Sequence, residues 1–224
     1  MKDPLLLEGP RLPPAEGAAR QLVVFLHGYG ADGNDLIGIG AGWARDLPHA
    51  AFFSPHAPEP FPFGRYGRQW YALGSSVDRT AEDRLRDLRD GVGAASEALN
   101  RTFDLELERL GLRNGALALV GFSQGAAVAL HVGLRRPAHA VVALSGPLGD
   151  LPLAMPTPVP QVFLAHGDQD NVVPVAATIA GQAALKAARV PVQTHIARGY
   201  GHGIDPETAT LAVAFLRAAF TPAS

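Results

Sequence analysis

Six short apolar runs punctuate the chain, at 21–26 (QLVVFL), 50–54 (AAFFS), 116–120 (ALALV), 140–144 (AVVAL), 161–165 (QVFLA) and 192–197 (VQTHIA). Runs of this length suit strands buried on both faces. Between them, four segments carry apolar residues at helical spacing. Residues 80–101 set Leu85, Leu88, Val92, Ala95 and Leu99 on one face among alternating charges, and 124–134, 175–188 and 206–219 are rich in Ala and Leu with the same period. Strands alternating with helices predict an α/β fold, a mostly parallel sheet with helices on both faces. Two stretches fit neither period: 55–79, and 145–160 with its five prolines at 147, 152, 156, 158 and 160. Proline at that density excludes regular structure, and long irregular loops in a compact domain are often functional. There is no internal repeat and no long linker, so residues 1–224 read as one domain, long enough for a substantial core.

In such a sheet, chemistry belongs at the carboxyl ends of the strands. The first run ends in His27-Gly28-Tyr29-Gly30, and the third in Gly121-Phe122-Ser123-Gln124-Gly125. The fifth ends in His166-Gly167-Asp168-Gln169-Asp170, and the last in Arg198-Gly199-Tyr200-Gly201-His202. Four strand ends therefore supply a serine, carboxylates and histidines.

Ser123 stands between two glycines where a strand gives way to a helix, the context that a G-x-S-x-G elbow needs. Glycine at 121 and 125 relieves crowding that a Cβ would cause against a neighbouring strand or helix. The sharp turn lifts the serine hydroxyl clear of the sheet and leaves the Gln124 backbone N–H at a helix N-terminus, aimed at a developing oxyanion. The competing reading is a tight turn with serine as a helix cap. A serine hydroxyl becomes a nucleophile only when a base takes its proton, and an acid must hold that base in the right tautomer. The order serine, acid, histidine is met downstream. Asp170 lies 47 residues beyond Ser123 and His202 a further 32, each in a loop after a strand, with Asp168 as a rival acid two residues away.

Five stretches taken together, "LHGYGADGNDL", "PHAPEPF…WY", "GFSQGAAVAL", "HGDQDNVVP" and "GYGHGID", resemble the phospholipase/carboxylesterase family of α/β-hydrolases. They run in order from about residue 20 to residue 220. The resemblance implies an α/β-hydrolase fold without a large cap domain. It assigns the acid to Asp170 rather than Asp168, the base to His202, and an oxyanion donor to the backbone N–H of Tyr29 beside that of Gln124. It sets Trp70 and Tyr71 close to the site, as walls of a substrate pocket. The chain departs from the family pattern at Ala126, where a second glycine often follows the elbow. Alanine fits a position that is already helical.

Composition narrows the chemistry. Charged residues make up 18% and the formal net charge is -2, a balance that argues against nucleic acid as a partner. There is no cysteine, hence no disulfide, thiolate metal site or cysteine nucleophile. Eight histidines occur, but no H-x-x-x-H or H-x-H pair marks a metal, and neither metal nor cofactor is expected. His27 and His166 read as groups that hydrogen-bond backbone and shape loops, and His131 as packing. His49, His56, His139 and His195 have no partner identifiable from sequence. Asp205 before Pro206 reads as the cap of the last helix. Arg65 and Arg68 read as solvated. The leucine run near the N-terminus is too short for a signal peptide and no run could span a membrane, so a soluble cytoplasmic protein without stable membrane insertion is expected. A homodimer is compatible with this reading.

The expected activity is hydrolysis of a small-molecule carboxylic ester through an acyl-enzyme, with short- to medium-chain or aromatic acyl groups favoured by a groove between 55–79 and 145–160. Thioesterase activity on acylated proteins and lysophospholipase activity stay open. A non-catalytic binding protein and a serine peptidase of the same fold are the weaker readings.

Overall fold

The computed structural model describes residues 6–74, 80–152 and 154–221; residues 75–79 of the first irregular stretch and Leu153 of the second lie outside the described residues. Nine strands are found among the described residues: β1 (Arg11–Leu12), β2 (Gln21–Leu26), β3 (Ala50–Phe53), β4 (Glu59–Pro60), β5 (Arg68–Gln69), β6 (Leu117–Phe122), β7 (Ala140–Leu144), β8 (Gln161–Gly167) and β9 (Val192–Ala197). The helices are α1 (Gly33–Trp43), α2 (Ala81–Arg109), α3 (Gln124–Gly133), α4 (Ala176–Ala187) and α5 (Pro206–Phe220). Seven strands form one sheet in the order β1-β3-β2-β6-β7-β8-β9, and β4 and β5 pair as a separate ribbon. Within the large sheet only β1 runs antiparallel, beside β3. The α/β, mostly parallel reading holds.

The alternation along each strand explains the layers. Leu22, Val24 and Leu26 of β2 join a core with Leu88, Val92 and Leu99 of α2, Val128 and Leu130 of α3 and Leu185 of α4. Val23 and Phe25 join a second core with Leu36 and Trp43 of α1 and Leu216 of α5. Helices thus cover both faces, and β2, β3, β6, β7 and β8 are buried on each; β9, expected to be buried likewise, is mostly half-exposed because it forms the edge of the sheet.

Two helices differ from the sequence expectation. The chain forms α1 although four of its eleven residues are glycine (33, 38, 40 and 42), a composition that disfavours helix. Packing overrides propensity here: a Cβ on Gly40 would come within 3.0 Å of the Phe25 and Phe52 rings. Asp32 caps the helix by accepting a hydrogen bond from the Asn34 N–H. Helix α2 runs eight residues past the predicted end at 101, since Phe103 and Leu107 continue the buried stripe of Leu99. Its N-terminus carries a reciprocal box between Thr80 and Asp83.

The sheet sets the site. From β2 the chain moves outward through α1 to β3, then returns across β2 to β6, so the connections leave adjacent strands β2 and β6 in opposite directions. A cleft opens at such a switch point, beyond the carboxyl ends. Leu26 is paired with Gly121, which brings the residues after β2 beside Ser123. Tight packing fixes that neighbourhood. A Cβ on Gly121 would collide with the Gly125 carbonyl, and one on Gly125 with the Leu26 carbonyl. Helix α3 therefore lies directly on β2 and β6.

Replacing Gly121 or Gly125 with alanine is expected to cost about 3 kcal/mol or more, because backbone on both sides must yield. Gly93→Ala, in the exposed middle of α2 with no heavy atom within 4 Å of its Cβ position, is expected to gain about 0.5–1 kcal/mol. Chemical denaturation of the three variants checks both signs. Equal behaviour of the three would disprove the packing account.

Candidate active site

The chain turns from β6 into α3 at Ser123 with φ 54° and ψ −117°, a conformation that non-glycine residues rarely adopt. The turn is held on both sides. Ser123 N–H donates to the Leu144 carbonyl of β7 at 2.8 Å, and the Ser123 carbonyl accepts from Ala126 N–H at 3.0 Å. The serine side chain makes no capping hydrogen bond, which sets aside the helix-cap reading. Ala126, where the family pattern often has glycine, packs against Gly146 so closely that a Cβ there would sit 2.5 Å from the alanine methyl.

Three distant residues converge here. Ser123 Oγ lies 3.0 Å from His202 Nε2, and His202 Nδ1 lies 2.7 Å from Asp170 Oδ2. The Asp170 side chain is fully buried. Its Oδ1 accepts the backbone N–H groups of Val172 and Val173, each at 2.8 Å. Burial by itself would raise the Asp170 pKa; hydrogen bonds from His202, Val173 and Val172 outweigh it and hold the carboxyl below its ordinary value. An ionised carboxylate here keeps a proton on His202 Nδ1 and leaves Nε2 as the acceptor facing the serine. Phe122 packs against the His202 ring, with centroids 4.9 Å apart. Asp168, the rival acid, is exposed and accepts from Gly199 N–H at 2.7 Å, bracing the turn that leads to His202.

A second imidazole touches the same carboxylate. His166 is fully buried, and its Nε2 lies 3.1 Å from Asp170 Oδ2 and 2.8 Å from the Val173 carbonyl. Its Nδ1 lies 2.7 Å from Thr178 Oγ1. Two acceptors at Nε2 place the proton there, so Nδ1 accepts from the threonine. Sequence reasoning expected backbone contacts for His166 but not this link to Asp170. The two stand four positions apart in the chain and meet where the loop after β8 folds back.

Gln124 is the first residue of α3, where backbone N–H groups have no intrahelical acceptor. Its side chain is clamped across the pocket wall: Oε1 accepts Trp70 N–H at 2.9 Å and Nε2 donates to the Tyr71 carbonyl at 2.7 Å. Tyr29 lies on the other side, its ring edge-on to Phe61 at 5.1 Å. A cavity of about 310 Å³ opens over Ser123, with Tyr29, Tyr71, Leu73, Arg84, Pro147, Val172, Val173 and His202 among its walls. Tyr71 thus stands where expected. Trp70 does not: it is 1% exposed, packed in the core, and its indole N–H donates to the His27 carbonyl at 2.8 Å. Both residues are buried in the same core cluster, but only Tyr71 also reaches the cavity wall. Tyr71 and Leu73 come from the first irregular stretch and Pro147 from the second. Arg84 and Val172–Val173 were not foreseen, since a charged position in a polar helix and a strand-like pair give no sequence signal for a pocket.

Beside this cavity, and sharing Arg84, Pro147 and Val173 with it, lies an apolar one of about 360 Å³ floored by the small residues Ala177, Ala180 and Gly181 of α4. Arg84 reaches across to the Val172 carbonyl at 2.8 Å. Asp205 caps α5 as expected, accepting from Glu207 and Thr208 N–H at 3.0 Å each. His195, Asp205 and Glu207 each bring one ligand atom within 4.8 Å of the others. The Asp205 oxygens already serve α5 and the Thr208 hydroxyl, and a helix N-terminus disfavours a cation. No helix among the described residues is long and apolar enough to cross a membrane.

Residues 8–220 match the model of the phospholipase/carboxylesterase family. The chain is 33% identical over 201 residues to esterase YpfH of Escherichia coli, covering 89% of this chain and 83% of that protein. It is 29% identical to acyl-protein thioesterase 1 of Schizosaccharomyces pombe over 164 residues, 68% of this chain and 69% of that protein. The crystal structure of esterase PE8 superposes with a TM-score of 0.88 at 37% identity, over 96% of this chain and all of that one.

His27, fully buried after β2, carries a further measurable consequence. Burial lowers its pKa from 6.5 to about 4, against a raising contribution from the Gly28 carbonyl and Asp32 and with a small further lowering from His56 and Arg68. The unfolded chain then binds more protons between these values, so His27 stabilises fully above pH 6.5 and that stability is lost as pH falls toward 4. A depression from 6.5 to about 4 corresponds to about 3 kcal/mol. The wild-type chain is expected to lose about that much more stability than His27→Gln between pH 7 and 4, measured by urea unfolding. Parallel pH curves would show that His27 protonates freely in the fold.

Proposed function

The chain belongs to the phospholipase/carboxylesterase family and is a carboxylesterase, and on that premise we propose that it cleaves small acyl esters through an acyl-enzyme on Ser123. The observation that carries this reading is the unbroken line from Ser123 Oγ through His202 to Asp170, with hydrogen bonds of 3.0 and 2.7 Å. In the first step Ser123 attacks the ester carbonyl as His202 Nε2 takes its proton. Asp170 keeps the imidazole in the Nδ1–H tautomer and stabilises the imidazolium. The carbonyl oxygen gains negative charge, and the backbone N–H groups of Tyr29 and Gln124 meet it, each such donor being worth on the order of 10²–10³ in kcat. His202 then hands its proton to the alcohol, which leaves. A water attacks the acyl-enzyme by the same sequence, releasing the acid and freeing the serine. Every proton moved is carried by His202, so the cycle closes with the chain's own residues.

The walls bear on the acyl group. The cavity over Ser123 is small, but the adjoining apolar cavity extends it past Arg84 along α4. Short acyl groups fill the first alone; medium chains gain apolar contact in the second, at about 0.8 kcal/mol per buried methylene. Because Trp70 lies in the core, selectivity resides in Tyr71, Leu73, Pro147 and Val173. A thioester presents the same carbonyl, and the likeness to an acyl-protein thioesterase supports that as the second reading.

Ser123→Ala is expected to lower kcat on p-nitrophenyl esters by roughly 10⁶ with the fold intact. A fluorophosphonate should attach at Ser123, and labelling at Ser54 or Ser145 instead would end this reading. Asp170→Asn is expected to lower kcat by about 10⁴, whereas Asp168→Asn keeps most activity. The reverse pattern would shift the acid by two residues.

Across a chain-length series of p-nitrophenyl esters, kcat/KM is expected to rise from acetyl to a medium chain. Ala177→Leu, which narrows the second cavity from its half-buried floor, should abolish that rise while sparing acetyl. An unchanged profile would remove the second cavity from the acyl site.

A further inference from the structure

We infer that His27 is a positioning residue for the oxyanion donor, acting through the single peptide unit that joins Gly28 to Tyr29. The inference rests on the proposed role of the Tyr29 N–H and asks what aims that group. His27 follows β2 directly and is fully buried. Its Nε2 lies 3.1 Å from the backbone N–H of Ala57, which can only donate. Nε2 is therefore the bare, accepting nitrogen, and the ring proton sits on Nδ1. Nδ1 lies 2.8 Å from the Gly28 carbonyl oxygen, so that proton is donated to it.

The Gly28 carbonyl and the Tyr29 N–H are the two ends of one planar amide. A donor fixed on the carbonyl fixes the direction of the N–H at the opposite end. It also draws electron density toward the carbonyl oxygen, which leaves the N–H proton more positive and a better donor. Ala31 N–H adds a second hydrogen bond to the same carbonyl at 3.2 Å. The ring cannot turn away. Trp70 packs on it at 5.1 Å, and its indole N–H holds the His27 carbonyl at 2.8 Å. Depression of the His27 pKa to about 4 keeps the imidazole neutral and the Ala57 bond made throughout the neutral range.

The two ring nitrogens have separable duties, which makes the inference testable. In His27→Asn the side-chain amide can reach where Nδ1 stood and still donate to Gly28. In His27→Gln the amide oxygen can accept from Ala57 where Nε2 stood, but no donor remains on Gly28. His27→Gln is expected to lower kcat 10- to 100-fold with KM within about twofold. His27→Asn should stay within about fivefold of wild type in kcat. Inhibition by an alkylboronic acid, whose tetrahedral adduct on Ser123 carries the oxyanion, should weaken in step with kcat across the variants.

Equal kcat losses in both variants, or lowered melting temperatures with wild-type kcat, would overturn the inference. A ¹⁵N NMR spectrum of the wild-type chain gives a check that needs no variant to fold: His27 must show the neutral Nδ1–H tautomer at pH 7, and the Nε2–H tautomer refutes it. Fluorophosphonate titration separates this from the parent reading. If wild-type Ser123 is not labelled, the proposed mechanism fails; if it is labelled fully in every variant and only kcat is indifferent to position 27, the failure belongs to His27 alone.

Discussion

Everything at the switch point depends on how closely α3 lies against the sheet. Gly125 touches the Leu26 carbonyl of β2, Gly121 touches the backbone of α3, and Gly146 touches both the Ser123 carbonyl and Ala126. Three absent side chains let three backbones meet. The contact leaves no room for a gradual turn, so the chain bends at one residue, and that residue takes a positive φ. The strain is small beside the packing that enforces it. Because the bend is set by backbone contact on every side, the hydroxyl it carries has a fixed place relative to β2 and β7.

From that fixed point the remaining groups are referenced by hydrogen bonds rather than by bulk. Gln124 ties the start of α3 to the 70–71 segment, Trp70 ties that segment to His27 after β2, and His27 accepts from Ala57 in the loop after β3. On the other side, Asp170 receives four hydrogen-bonding partners: two backbone amides and two imidazoles. In the proposed mechanism, a buried carboxylate so thoroughly solvated by protein has little reason to reorganise as His202 takes up a proton. This is preorganisation in the electrostatic sense, with the desolvation of Asp170 offset during folding rather than during the reaction.

Much of this was legible in the sequence, and the exceptions follow a physical rule. The six apolar runs became the six long strands, and in all but the half-exposed edge strand β9 this is because buried positions leave a visible apolar signature. The four amphipathic helices were read for the same reason. Helix α1 was missed because its glycines speak against helix, and only Gly40's contact with two phenylalanine rings explains them. Strands β1, β4 and β5 were missed because two residues carry no period. Turn chemistry singled out Ser123 and chain order a downstream acid and histidine, but chain order left Asp168 and Asp170 both open, and only the family resemblance favoured Asp170. The environment of each was not legible: that Trp70 faces inward, that Arg84 reaches over to Val172, and that His166 shares an oxygen with His202 are facts of side-chain direction and loop closure, which no local pattern encodes.

The cavity walls have a different construction from the elbow. Leu73, Arg84, Pro147 and Val173 come from four separate segments, and none belongs to the glycine-mediated contact between α3 and the sheet. The molecule is therefore modular in a practical sense, a rigid chassis carrying exchangeable panels. A change in one panel alters the space above Ser123, the proposed acyl site, without passing through the backbone contacts that hold the serine. Drift in substrate preference can proceed residue by residue on such a frame, each step small and independently tolerated, while the chemistry beneath it stands still.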